Sequence, residues 1–168
     1  MSLKEVKMKV ILKTIKQYLD NNGLSYQYRE ERNVFYFQIS TDIVDIDFFV
    51  QIQKEAECIL FIATLPITIE ESKADAMLKL INTINAQTTI ASLYMESSKI
   101  YAQSFVLYTE NSIVEDLFLR YIALTVSVLN GRVKEIFRIV FGNSNNSELT
   151  QLFLRQIKED TDNNLIFN

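Results

Sequence analysis

Residues 45–53 read Asp-Ile-Asp-Phe-Phe-Val-Gln-Ile-Gln. Ile46, Phe48, Val50 and Ile52 alternate with Asp45, Asp47, Phe49, Gln51 and Gln53. A period of two places these sets on opposite faces of a strand, one for a core and one facing away. Residues 54–57, Lys-Glu-Ala-Glu, are a turn, and the more apolar stretch 58–65 returns antiparallel. A turn centred on Glu55-Ala56 opposes Lys54 to Glu57 and Val50 to Phe61. Pro66, the only proline, ends the returning strand because it has no amide hydrogen to donate.

Working outward toward the N-terminus, 26–29 and 34–40 are rich in aromatic and branched residues and form a second hairpin through 30–33. Centring its turn on Glu31-Arg32 opposes Tyr28 to Phe35 and Tyr26 to Phe37. Before it, 3–22 reads as a helix opened by a Ser2/Glu5 capping box. Its predicted inner face is Leu3, Val6, Val10, Ile15, Tyr18 and Leu19, and Gly23 stops it.

Toward the C-terminus, Thr68 and Glu71 form a capping box for a second helix ending near Asn85, with Ala74, Met77, Leu78, Ile81 and Ile84 inward. A third hairpin joins 90–96 to 99–108 through Ser97-Ser98. Its register opposes Glu96 to Lys99, Tyr94 to Tyr101 and Ser92 to Gln103. Ser112 and Glu115 open a third helix with Ile113, Leu117, Tyr121, Leu124, Val128 and Leu129 as apolar positions. Run on to 141 it would be about 45 Å long, too long for so small a domain. Asn130-Gly131 therefore breaks it, because both residues accept left-handed geometry, and a short segment continues to Gly142. The Asn/Ser stretch 143–147 is a linker, and Leu149, Leu152, Phe153 and Ile157 mark a last amphipathic helix before a frayed tail.

The predicted fold is thus α+β, a mostly antiparallel sheet of about six strands in hairpins packed with helices. The order is α-ββ-ββ-α-ββ-α(α)-α. Residues 1–142 form a single domain, and 143–168 a linker plus a helix that packs on the domain or on a partner.

Composition narrows the function. The 168 residues carry 17 Lys and Arg, 21 Asp and Glu and no histidine, for a net charge of −4. Without histidine there is no Ser-His or Cys-His nucleophile pair and no histidine metal site. No basic stripe exists to bind phosphates, so nucleic acid is not an expected partner. Neither a signal-type apolar core nor a membrane-length apolar run is present, so no membrane association is expected. The lone cysteine, Cys58, has no internal disulfide partner, which fits a reducing, cytoplasmic compartment.

Four passages carry a resemblance. They are Tyr18-Leu-Asp-Asn-Asn-Gly-Leu-Ser-Tyr26, Phe61-Ile-Ala-Thr-Leu-Pro-Ile-Thr68, Leu80-Ile-Asn-Thr-Ile-Asn85, and the hairpin followed by a long helix through Tyr121. Over about residues 3–141 the chain resembles the YbjN family. The resemblance implies a fold like that of class I type III secretion chaperones and a bacterial regulatory role without catalytic residues. The chaperone relatives bind extended segments of secreted proteins as dimers. The glycine usual near the hairpin after the second helix is missing, since none lies between Gly23 and Gly131.

Among candidate sites, Asp42, Asp45 and Asp47 are close in sequence. A calcium loop needs more oxygen ligands and a turn glycine, so they read as solvated carboxylates. Cys58 lacks a base or a cationic neighbour and reads as a small packed group. The glutamates at 55, 57, 70 and 71 belong to turns and helix starts, and Asn85, with Asn82 nearby, to a helix end. Three glycines cannot build a phosphate loop, and no cofactor is expected.

Registering the hairpins exposes the more informative pattern. One sheet face is strongly apolar: Tyr26, Tyr28, Phe35, Phe37, Phe48, Val50, Ile52, Ile59, Phe61, Leu93, Met95, Ile100 and Val106. It is the predicted core under the first and third helices. The other mixes Tyr36, Phe49, Leu60, Ile62, Tyr94, Tyr101 and Phe105 with Val34, Cys58 and the glutamines 38, 51, 53 and 103. Aromatics amid uncharged polar groups suit an interface as much as a core. Helix two or the last helix can cover this face, as can a second copy or a protein segment. The expected function is a non-enzymatic interaction or regulatory module, homodimeric and cytoplasmic. A chaperone for one exported protein and a small-molecule sensor are the alternatives.

Overall fold

In the computed structural model the described residues are 3–108, 115–142 and 151. They form α1 (Leu3–Asn21), β1 (Gln27–Arg29), β2 (Val34–Ser40), β3 (Asp45–Gln53), β4 (Cys58–Thr64), α2 (Ala74–Asn85), β5 (Ser92–Glu96), β6 (Lys99–Leu107), α3 (Glu115–Asn130) and α4 (Val133–Phe141). The Ser2 and Ser112 caps, Ile113, the linker and the last helix lie outside these residues.

The strands form one antiparallel sheet in the order β1-β2-β3-β4-β6-β5. All three predicted hairpin registers stand: Tyr28 opposes Phe35, Val50 opposes Phe61 and Tyr94 opposes Tyr101. Sequence did not reveal the pairing of β6 with β4, which leaves β5 at the edge. Asn85 at the end of α2 secures that edge. Its Nδ2 donates to the Leu93 carbonyl (2.8 Å), and its Oδ1 accepts from the Leu93 amide (2.7 Å). The residue read as a helix cap is thus a pin for the edge strand.

Two turns show how local chemistry sets the path. Gly23 (φ 64°) closes α1 in a Schellman arrangement, with its amide donating to Asp20 O and that of Leu24 to Leu19 O. The β5–β6 turn has Ser97 at φ 48° and Ser98 at φ 63°. A two-residue hairpin turn requires such left-handed geometry, so two serines stand where glycine is favoured.

Phe35, Phe37, Phe48, Val50, Ile52, Ile59, Phe61, Leu93 and Ile100 are buried, as the apolar face predicts. They join one core with residues from all four helices. Three helix expectations need correction. In α1 the buried row is Ile11, Ile15 and Leu19, whereas Val6 and Val10 are 40% and 53% exposed. On a helix Val10 points about 140°, and Val6 about 180°, away from the centre of that row at Ile15.

In α3 the buried row is Phe118, Ile122, Thr125 and Leu129, and Leu117 is exposed. A threonine in this row hides it from a count of apolar residues. Thr125 is inside because its hydroxyl donates to Tyr121 O (2.7 Å) and meets Ser104 Oγ at 2.6 Å. In α2, Leu78 is exposed and the helix starts later than the Thr68/Glu71 box. Ile67 and Ile69 are core residues, and the Ile69 amide donates to Ser98 O (2.8 Å). The chain is therefore held extended there, and only a 3-10 turn (Glu71–Lys73) precedes Ala74.

The break between α3 and α4 falls where predicted, but neither Asn130 nor Gly131 is left-handed. The Gly131 amide still donates to Ser127 O and that of Arg132 to Leu129 O. A Cβ at Gly131 would stand 3.0 Å from the Ser127 carbonyl, so close approach explains this glycine.

Candidate interaction face

The second face of the sheet is built in rows that cross the strands. One row is Val34, Gln51, Leu60 and Phe105. The next is Tyr36, Phe49, Ile62 and Gln103, and a third includes Gln38, Asp47, Tyr101 and Tyr94. The three hairpin registers bring all seven candidate residues to this face: Tyr36, Phe49, Leu60, Ile62, Tyr94, Tyr101 and Phe105. Phe105 is 57% exposed and the other six are partly exposed. Among the described residues none of the seven packs against the core, and α2 buries Met77, Ile81 and Ile84 on the opposite side.

Neighbouring aromatics order the face. Tyr36 and Phe49 lie 5.2 Å apart between ring centres, and Tyr94 and Tyr101 stack at 5.1 Å. The Tyr36 hydroxyl donates to Asp47 Oδ1 (2.8 Å), which also accepts from Gln38 Nε2 (3.0 Å). Burial, reinforced by that bond and the Asp47 charge, pushes Tyr36 up to about 12. Burial also raises Tyr94 and Tyr101, with the Glu96 charge adding to both. Every one of these phenols is therefore neutral at physiological pH, and the face offers flat apolar area with hydroxyl and amide groups at its margins.

Leu107, 64% exposed, was missed on this face. Continuing the alternation Tyr101, Gln103, Phe105 by two residues would have found it. Cys58 faces the same way but is buried at 6%, and burial raises its thiol pKa. It is a packed group, not a displayed one. The three aspartates do not converge: Asp47 is engaged by Tyr36 and Gln38, and Asp42 and Asp45 are exposed. No metal-holding cluster of acidic or sulfur side chains occurs among the described residues. No helix among them is long and apolar enough to cross a membrane. A cleft of about 470 Å³ lies at the other end of the sheet, between 23–27 and Tyr36–Gln38.

A family model, YbjN, described as "Putative bacterial sensory transduction regulator", matches residues 12–137. The chain belongs to the YbjN family. The crystal structure of E. coli YbjN, "a putative transcription regulator", is similar with a TM-score of 0.54 and 18% identity. The match covers 74% of this chain and 93% of that one. At that identity the likeness concerns the fold. A chain of the ExsC–ExsE complex is similar at a TM-score of 0.48 and 11% identity, over 79% of this chain and 94% of that one. Comparison with curated proteins yields no match. YbjN membership and the six-stranded α+β fold agree with the resemblance read from the four passages.

Proposed function

We propose that this YbjN-family protein is a non-enzymatic regulatory module whose open sheet face receives an amphipathic protein segment. The observation that carries the reading is the face itself. Seven aromatic and aliphatic side chains lie in register across β2, β3, β4, β6 and β5, outside the core and amid glutamines. Surface strands normally turn polar residues outward, and a continuous apolar patch on a folded protein marks a contact site. The absence of histidine and of an acidic or sulfur cluster among the described residues supports a binding role over a catalytic one. The family description, a sensory transduction regulator, is in keeping with it.

The same face can pair with itself in a homodimer, and light scattering separates the two arrangements. Affinity capture from a lysate should retain a partner that the doubly substituted Ile62→Gln, Phe105→Gln protein loses while keeping its circular dichroism. Equal retention by both proteins, with both monomeric, would refute the reading.

A further inference from the structure

The end of α4 is tied to the β5–β6 edge of the sheet through the start of α2. Lys73 Nζ donates to the Val140 carbonyl, which fixes the end of α4 at the start of α2. Just before that start, the Ile69 amide donates to Ser98 O in the β5–β6 turn (2.8 Å). The chain therefore leaves Gly142 on the β5–β6 side of the sheet. Lys99 and Glu96 flank the β5–β6 turn, and on the open face the next pair along the hairpin is Tyr101 and Tyr94.

Residues 143–168 follow, beyond the family-matched stretch that ends at 137. The Asn- and Ser-rich start, 143–148, reaches about 20 Å when extended. A layer of secondary structure is about 10 Å thick, so this reach is enough to round the sheet edge. Leu149, Leu152, Phe153 and Ile157 then recur at i, i+3, i+4 and i+8, the spacing of one helical stripe. Residues 149–157 as a helix span about 13 Å. From β5 across β6 to β4 is about 10 Å, two strand spacings.

We propose that residues 149–157 dock in cis on the β5–β6–β4 part of the open face, over Tyr94, Tyr101, Phe105 and Ile62. Length, exit point and apolar stripe all match that patch. The inference rests on the open face being an interaction surface, and it adds the regulation of that surface. The chain's own segment is the resident occupant, and a partner segment of the same amphipathic chemistry must displace it. A free helix of this length is marginal in water, so docking and helix formation are coupled and the cover is weak enough to exchange.

A benzophenone side chain in place of Gln103 in the full-length protein tests this, using a mixture of nitrogen-15-labelled and unlabelled chains. The expected product is an intrachain cross-link to the peptide carrying 149–157. Phe153→Asp should lower its yield about tenfold, since burying a phenylalanine is worth at least that factor. Phe153→Leu should restore most of it, which separates lost contact from lost folding. Cross-links between labelled and unlabelled chains, or to residues other than 149–157, would overturn the cis arrangement while leaving the face an interaction surface. So would a yield that Phe153→Asp does not change. Failure of the face itself shows separately, as partner retention indifferent to Ile62→Gln, Phe105→Gln.

Discussion

One face of the sheet carries Phe35, Phe37, Phe48 and Phe61, and the other carries Tyr36, Phe49, Tyr94 and Phe105. Both are aromatic, and in β2 and β3 the two sets alternate residue by residue. On the first face all four rings are buried in a core shared with four helices. Phe61 there lies 5.4 Å from the Phe118 ring and 5.3 Å from the Tyr121 ring. On the second face, aromatics contact each other across strands, and Gln51 and Gln103 lie in the same rows as Leu60 and Ile62. Aromatic content therefore does not distinguish core from surface in this protein. What distinguishes them is the share of polar neighbours: the buried face holds only the paired Ser104 and Thr125 hydroxyls, whereas the second displays several glutamines that any covering segment must leave hydrated or pair.

The sharpest way to break this contrast is at Phe61. Phe61→Ala should cost about 3–5 kcal/mol, measured by urea unfolding, because it opens a cavity beneath α3. A loss below about 1 kcal/mol would mean that the covered face is not a tightly packed core.

The polar pair under α3 comes next. Thr125→Val leaves the buried Ser104 hydroxyl without its 2.6 Å partner and should cost about 1–3 kcal/mol. Adding Ser104→Ala should recover part of that loss, since no buried group is then left unpaired. A double variant less stable than Thr125→Val would contradict this account.

Tyr36 probes the open face through pH. Its pKa is raised from 10.0 to about 12, so the fold favours the neutral phenol. That contribution is complete below pH 10 and is lost as the pH climbs toward 12, because the unfolded chain releases its proton first. Tyr36→Phe should therefore flatten the alkaline decline of stability in that window. An unchanged slope in denaturant titrations across it would separate Tyr36 from Asp47.

The smallest stability effect is expected at Phe105, which is 57% exposed. Phe105→Gln should change unfolding by about 0.5 kcal/mol or less, as surface substitutions do. A loss near that of Phe61→Ala would show that the open face is a second core.

The parts of this architecture legible in sequence are those written in short-range periodicity. The three hairpin registers follow from alternation and turn length, because a slip of one residue would move every core residue to the wrong face. The placement of the seven residues on one sheet face follows for the same reason. The helix faces were read less well. An apolar count favoured Leu117 and Val10, while packing selected Phe118 with Thr125, and Ile11. A buried threonine looks polar until its hydroxyl partner, Ser104, is known to lie opposite.

Sequence by itself determined the strands, their hairpin pairing, the division of each strand into two faces and the YbjN resemblance. These depend on neighbours a few residues apart. Only the tertiary structure decided that β6 inserts beside β4, that Asn85 pins the edge strand, and that among the described residues all four helices gather on one side. Those outcomes depend on contacts between residues far apart in the chain, where the energy of packing, rather than local conformational preference, selects the arrangement.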